Sequence, residues 1–309
     1  PHRRSPRFTS RHSSGHLAQT ATREPYAHHI AALVTTPPIS GKQGSLRKLL
    51  RGPDSSTWEH GLSNEWGRLL EHGIGQKRPL AERITGTGTL FFIPKSHVPK
   101  DRKVTYTNFI CNIRLQKEET HRVGMTAGGD KLDYAGITAT NTASLTTLKL
   151  LLNSVISTPG ARFMTLDIKN YYYNTPMATY EYMRIQLDII PNEVITQYNL
   201  RALAVNGWVY LEIRKGMPGL KQAGRIANDR LTKHLLQYGY APTPRTPALW
   251  RHHTLPISFT LVVDDFGVKF CNKHDATHLI NAMHDMHTIS IDHTGSFNSG
   301  LTNNWDNAT

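Results

Sequence analysis

Apolar and polar positions in the second half of the chain alternate between two periods. Leu145, Leu148, Leu152, Val155 and Ile156 follow Ser144 at helical spacing, which predicts a helix that stops at Pro159-Gly160. FMTLDI (163–168) reads as a short strand carrying Asp167 near its end. A second helix is predicted over 221–238, with Ala223, Ile226, Ala227, Leu231, Leu235 and Tyr238 as its buried stripe and Gly239 as its C-terminal cap. The strand-like run ISFTLVV (257–263) then meets Asp264-Asp265, and Phe266, Val268 and Phe270 alternate after the pair. This is the pattern of a tight β-hairpin with two acids at its tip. Asp275 is expected to cap a last helix whose apolar face is Ala276, Leu279, Ile280, Met283 and Met286. Strand, helix, hairpin, helix is the order of a split βαβ sheet with helices on one face, within an α+β fold.

The first half is less regular. Ser56 and Glu59 suit a capping box, and Trp58, Leu62, Trp66, Leu69 and Leu70 follow at helical spacing up to Gly73. Residues 74–89 read as a Gly-rich linker; GTGTL (86–90) is not followed by the Gly-Lys of a phosphate loop. LFFIP (90–94), Val104–Ile113 and Val123–Thr126 read as strands, and Gly128-Gly129 as a turn. Lys95, Lys100, Arg102, Lys103, Arg114, Lys117 and Arg122 are interleaved with these strands. Residues 1 to about 50 are rich in Arg, His, Ser, Thr and Pro without periodicity, the composition of a disordered leader.

Charge adds a class of partner. The 309 residues carry a formal net charge of +13, and a basic chain of this size favours polyanions, nucleic acid above all. Residues 1–50 hold eight Lys or Arg against the single acid Glu24, so about half of the excess lies outside that leader. Two cysteines, Cys111 and Cys271, exclude a disulfide scaffold and suit a reducing compartment. No apolar run approaches the roughly 18–20 residues that span a membrane. The chain opens on Pro1 without a signal peptide, as a piece of a longer product would. His274, His278, His284 and His287 have spacing that suits zinc, but no Cys or Glu pattern completes a site, so none is expected.

The acidic pair carries the chemistry. Two adjacent carboxylates on an apolar hairpin repel one another unless a cation sits between them, and all-oxygen ligation points to Mg²⁺ or Mn²⁺. In a split βαβ sheet the strand of Asp167 lies beside the hairpin, so Asp167, Asp264 and Asp265 could converge. Three such carboxylates can hold two Mg²⁺ ions roughly 3.5–4 Å apart, the arrangement of in-line phosphoryl transfer.

LDIKNYYYNTPM (166–177), IRKGMPGLKQAG (213–224) and LVVDDFG (261–267) resemble, in this order, the motif blocks of a reverse transcriptase. GLKQAG and the order of segments are similar to the Ty1/copia type of retrotransposon, as is WEHGLSNEWGRL (58–69). The resemblance covers roughly 58–305. It implies the fingers and palm of a polymerase right hand: a leader over 1–54, a fingers-like region over 55–160, and a palm over 161–309. SGLTNNWD (299–306) is similar to the start of a primer-grip hairpin. Thumb, connection and RNase H regions are expected beyond it, and protease and integrase elsewhere in the same polyprotein.

The implied activity is RNA-directed DNA synthesis on an RNA or DNA template-primer from deoxynucleoside triphosphates. Asp167, Asp264 and Asp265 would be both catalytic residues and ligands of two Mg²⁺ ions. Tyr172 would be the aromatic gate against a 2′-hydroxyl, and Gln222 would contact the nucleotide beside the template. Gly219 would allow close backbone approach, and Lys103 and Arg122 would meet triphosphate and template. No membrane is implied; the resemblance implies an intracellular setting, a cytoplasmic particle or the nucleus. Gly124, Asn170 and Val262 depart from the family pattern, which has a cation, an acid and an aromatic there. Two other readings use the same residues: a catalytically inactive relic that binds nucleic acid, and a two-metal nuclease or phosphatase.

Overall fold

The six strands predicted from the sequence are joined by five that were not, Pro176–Gln186, Trp208–Lys215, Tyr240–Pro242, Leu249–His252 and Ile289–Asp292, in two main sheets, each with its own apolar core. The computed structural model describes residues 34–35, 43–44, 46–113, 119–246, 248–298 and 301–303. Most of the leader, together with Arg114 and Lys117, lies outside these residues. Within the leader, Val34–Thr35 pairs with Gln43–Gly44, and Leu46–Leu49 forms one helical turn that buries Leu46. Arg47 of that turn bonds Asp188 at 2.7 Å.

In chain order the elements that frame the site are α1 (Ser55–Leu69), β1 (Leu90–Ile93), β2 (Val104–Ile113), β3 (His121–Ala127), α2 (Leu145–Ile156) and β4 (Arg162–Ile168). They continue as β5 (Pro176–Gln186), β6 (Trp208–Lys215), α3 (Ala223–Gln237), β7 (Tyr240–Pro242), β8 (Leu249–His252), β9 (Ser258–Val262) and β10 (Asp265–Phe270). The last are α4 (Lys273–His284), β11 (Ile289–Asp292) and the short pair β12 (Phe297–Asn298) and β13 (Leu301–Thr302).

One sheet has the order β1-β6-β5-β2-β3, antiparallel except for the parallel pair β2 and β5. Its core draws Trp58, Leu62 and Trp66 from α1 onto Val123 and Met125 of β3 and Met183 and Leu211 of the central strands. The other sheet has the order β11-β4-β10-β9-β8-β7 and is antiparallel throughout. Met164 and Leu166 of β4 and Phe266 and Val268 of β10 share a core with Leu231 and Leu235 of α3 and Leu279 and Met283 of α4. Strand alternation sends Phe163, Thr165 and Asp167 to the opposite face. There α2 packs on the Phe163 end through Leu151 and Val155, while Lys269 Nζ bonds Ser154 and Thr158 near the end of that helix. Asp167 and its cross-strand neighbour Asp265, farther along this face, are partly buried. The chain is therefore α+β, with a mixed five-stranded sheet and an antiparallel six-stranded sheet that contains a split βαβ unit.

Three local expectations need correction. Helix α1 starts at Ser55 behind Asp54, which makes no side-chain cap bond, so Ser56 and Glu59 lie inside the helix and form no capping box. The cap of α4 is Asn272, which accepts the Asp275 N–H at 3.0 Å; Asp275 sits in the first turn. The buried stripe of α2 is Leu148, Leu151 and Val155, while Leu145 and Ile156 are exposed, because the stripe turned to Phe163 is narrower than the apolar one in the sequence. Ser144 does cap α2, accepting the Thr147 N–H at 3.1 Å. Gly239 follows α3 with φ +81°, the left-handed stop that glycine supplies.

Candidate active site

Strand register brings the three acids to one edge. Asp167 on β4 is the direct cross-strand partner of Asp265 on β10, and on its other side faces Ser290 of β11. Ser290 donates its hydroxyl to Asp167 Oδ2 at 3.3 Å. Val262 pairs with Asp265, so Val263 and Asp264 form a two-residue hairpin loop. Val263 has φ +60°, the left-handed first loop position that a type II′ turn requires. Glycine is the usual residue there, and a β-branched side chain holds that conformation only under strain. The turn is held from the neighbouring strand, where the Ile168 N–H donates to the Asp264 carbonyl at 3.2 Å. A strained turn at the tip of an apolar hairpin thus carries Asp264 beside the Asp167–Asp265 pair.

The arrangement concentrates negative charge. Burial, then the charges of Asp167 and Asp265, push the Asp264 carboxyl up to about 7. Burial and Asp167 raise Asp265 in the same direction. Carboxylate oxygens that repel one another in a half-buried place fit a hard divalent cation such as Mg²⁺ or Mn²⁺. Among the described residues no three His, Cys, Asp or Glu side chains are drawn together as one metal-ligand cluster. The acids share an edge without closing on a common point.

A stability test follows from the sign of the shift. The folded value of Asp264 lies above its unfolded one, so ionising it opposes folding. The stability of the neutral form is fully present below about pH 4 and is lost as pH rises through about 7. In chelator, Asp264→Asn is expected to match wild type in urea midpoint near pH 4 and to exceed it at about pH 8. The same midpoint difference at both values would contradict the assignment.

Asp167 is followed by a turn over 169–175 in which three tyrosines separate. Asn170 takes φ +56° and accepts the Asn174 N–H at 3.0 Å. Tyr171 is buried in the core of the six-stranded sheet, and Tyr173 in that of the five-stranded sheet, where its hydroxyl donates to Glu65 Oε1 at 3.3 Å. Tyr172 is only partly buried and packs against both cores. Burial, then the charge of Asp264, push its phenol up to about 12. Its hydroxyl lies 3.7 Å from where a Cβ on Gly224 would sit, over the first turn of α3. Tyr172 is thus the one of the three that packs against both cores, and it shares the charge of Asp264 with Tyr171.

The remaining predicted residues are engaged within the protein. Gln222 is buried at the start of α3, and its Nε2 donates to Glu181 Oε1 at 3.0 Å. Gly219 has φ +95°, and a Cβ there would come within 2.0 Å of the Ala127 carbonyl, so glycine is required by the contact with β3. Lys103 pairs with Asp133 at 2.6 Å, both exposed. Arg122 pairs with Glu65 and with Glu119, each at 3.0 Å.

Sequence reasoning missed Glu65, Glu181 and Ser290, because each meets its partner only through tertiary contact. His278 binds the Tyr240 hydroxyl through Nδ1 at 2.9 Å. His252 Nδ1 accepts the Leu255 N–H at 2.9 Å.

No protein-family model and no curated protein matches the chain. Among solved structures it is similar to the prototype foamy virus protease-reverse transcriptase at 12% identity and a TM-score of 0.36, over 70% of this chain and 24% of that one. It is also similar to the telomerase of Candida albicans, solved with a fragment of telomeric RNA, at 11% identity and a TM-score of 0.37, over 65% of this chain and 43% of that one. The chain thus spans less than half the length of either. No helix among the described residues is long and apolar enough to cross a membrane.

Proposed function

We propose that this chain is the fingers and palm of an RNA-directed DNA polymerase of the retrotransposon type. The observation that carries the reading is the register of Asp167 opposite Asp265, with Asp264 in the strained turn beside them. Three carboxylates brought by strand register to one edge of a split βαβ sheet suit nucleotidyl transfer. Asp167, Asp264 and Asp265 would hold Mg²⁺, with Mn²⁺ as a substitute. When bound, the metal lowers the pKa of an attacking hydroxyl and neutralises charge on the phosphates. Ser290 orients Asp167 by hydrogen bonding one of its oxygens. Tyr172 forms the floor on which the sugar of a deoxynucleoside triphosphate would lie. Template and primer would run along the basic surface, and integrase and RNase H would belong to the same Ty1/copia-type polyprotein, in a cytoplasmic particle or the nucleus.

Arg122, paired with Glu65 and Glu119 inside the protein and so not turned to a triphosphate, favours a second reading as a domain that holds nucleic acid through other groups without polymerising. Extension of a DNA primer on an RNA template separates the two. Polymerisation predicts Mg²⁺-dependent incorporation, whereas the second reading predicts salt-sensitive binding and no product. Tyr172→Ala should relax sugar selection, lowering the preference for deoxynucleotides over ribonucleotides by about 10- to 100-fold. Competition between the two nucleotide types in single-step incorporation measures it, and an unchanged preference would remove Tyr172 from the gate.

A further inference from the structure

Glu181 is a buried acid outside the carboxylate trio, and nothing in its local sequence calls for a charge there. It lies on β5 just after an irregularity: Pro176 pairs with Lys215 of β6, yet Glu181 pairs with Ile213. Three extra residues of β5 are taken up between these pairs. Bulges of this kind re-aim side chains, and here Glu181, Tyr182 and Met183 are buried in succession where a regular strand would alternate. Both oxygens of Glu181 are used. Oε1 accepts Gln222 Nε2 at 3.0 Å, and Oε2 accepts Arg102 Nη2 at 2.7 Å. Arg102 Nη2 also donates to the Tyr180 carbonyl, at 2.6 Å, inside the bulge. Glu181 and Gln222 are 5% and 4% exposed, so neither can turn to bulk water for the hydrogen bond they share. A carboxylate can only accept, so the Gln222 amide must turn its nitrogen towards it and its oxygen away.

We propose that Glu181 is the positioning residue for Gln222: it fixes the amide edge that the start of α3 presents to an incoming nucleotide, and Arg102 holds Glu181 in place. This rests on the polymerase reading and adds to it a residue that acts only through another. The signature is a pattern of KM for the deoxynucleoside triphosphate in primer extension. Gln222→Ala and Glu181→Ala should each raise KM about tenfold with kcat little changed, the mark of lost binding contacts. The double variant should be no worse than Gln222→Ala alone. Glu181→Gln, whose carbonyl still accepts the Gln222 amide, should bring KM back towards wild type and serves if Glu181→Ala does not fold. KM effects that multiply in the double variant, or a fall in kcat with KM unmoved, would overturn the proposal. If wild type incorporates nothing, the polymerase reading fails by itself, and urea unfolding of the same variants decides the link. A coupling of about threefold or more in the unfolding equilibrium constant supports it, and independent effects of the two substitutions overturn it.

Discussion

Glu65→Ala is expected to destabilise the fold by about 3–5 kcal/mol, the cost of leaving buried charge without its partner. Glu65 is fully buried on α1, and four groups converge on it. The Met125 N–H and the Tyr173 hydroxyl reach Oε1 at 3.0 and 3.3 Å, while Arg68 and Arg122 reach Oε2, each at 3.0 Å. Removing the carboxylate strands a strand N–H and a phenol and leaves both guanidinium groups to Glu119 alone. Stability of an ordinary domain is about 5–15 kcal/mol, so the loss is large enough to shift the urea midpoint plainly. Arg122→Ala should cost much less in the Glu65→Ala background than in wild type, since the cation it removes is by then poorly paired. A loss under about 1 kcal/mol for Glu65→Ala would mean that the cluster is not structural. Because Tyr173 follows Tyr172 directly, the same cluster ties the turn after Asp167 to α1 and β3.

Much of the architecture was legible from periodicity. The strand of Asp167, the acidic hairpin, α3 with Gly239 behind it and the order that makes a split βαβ sheet all follow from apolar spacing and turn residues, which act over a few positions. The meeting of Asp167 with Asp265 was legible for the same reason, since the topology leaves one place for the hairpin. The surroundings of the acids were not. Arg122 and Lys103 read as cations available to phosphate, yet their partners Glu65 and Asp133 are fixed by packing of α1 on β3 and by the loop after it. Gln222 read as a contact at the head of a helix, and its partner Glu181 lies 41 residues earlier behind an irregular strand. Gly219 read as room for a template, whereas its space is filled by Ala127. Long-range side-chain pairing leaves no periodic trace. Capping failed for a related reason: several polar residues precede α1 and α4, and packing selects which one ends up at the cap.

The second large effect concerns the acids themselves. Asp264→Asn replaces a carboxylate by a neutral amide of the same shape at the strained turn, and so removes charge with little change in packing. If Asp264 holds catalytic metal, the loss removes several kcal/mol of transition-state stabilisation, about a thousandfold or more in rate. Asp167→Asn should do the same, and the double variant should be little worse than either, as for groups that act as one unit. The stability expected of Asp264→Asn at alkaline pH separates this loss from unfolding, because the inactive variant should be the more stable protein. The most direct measurement is Mg²⁺-dependent extension of a DNA primer on an RNA template by wild type and Asp264→Asn side by side. Extension by wild type and about a thousandfold less by the variant is the result predicted here. Equal extension by both, or none by either, would contradict it.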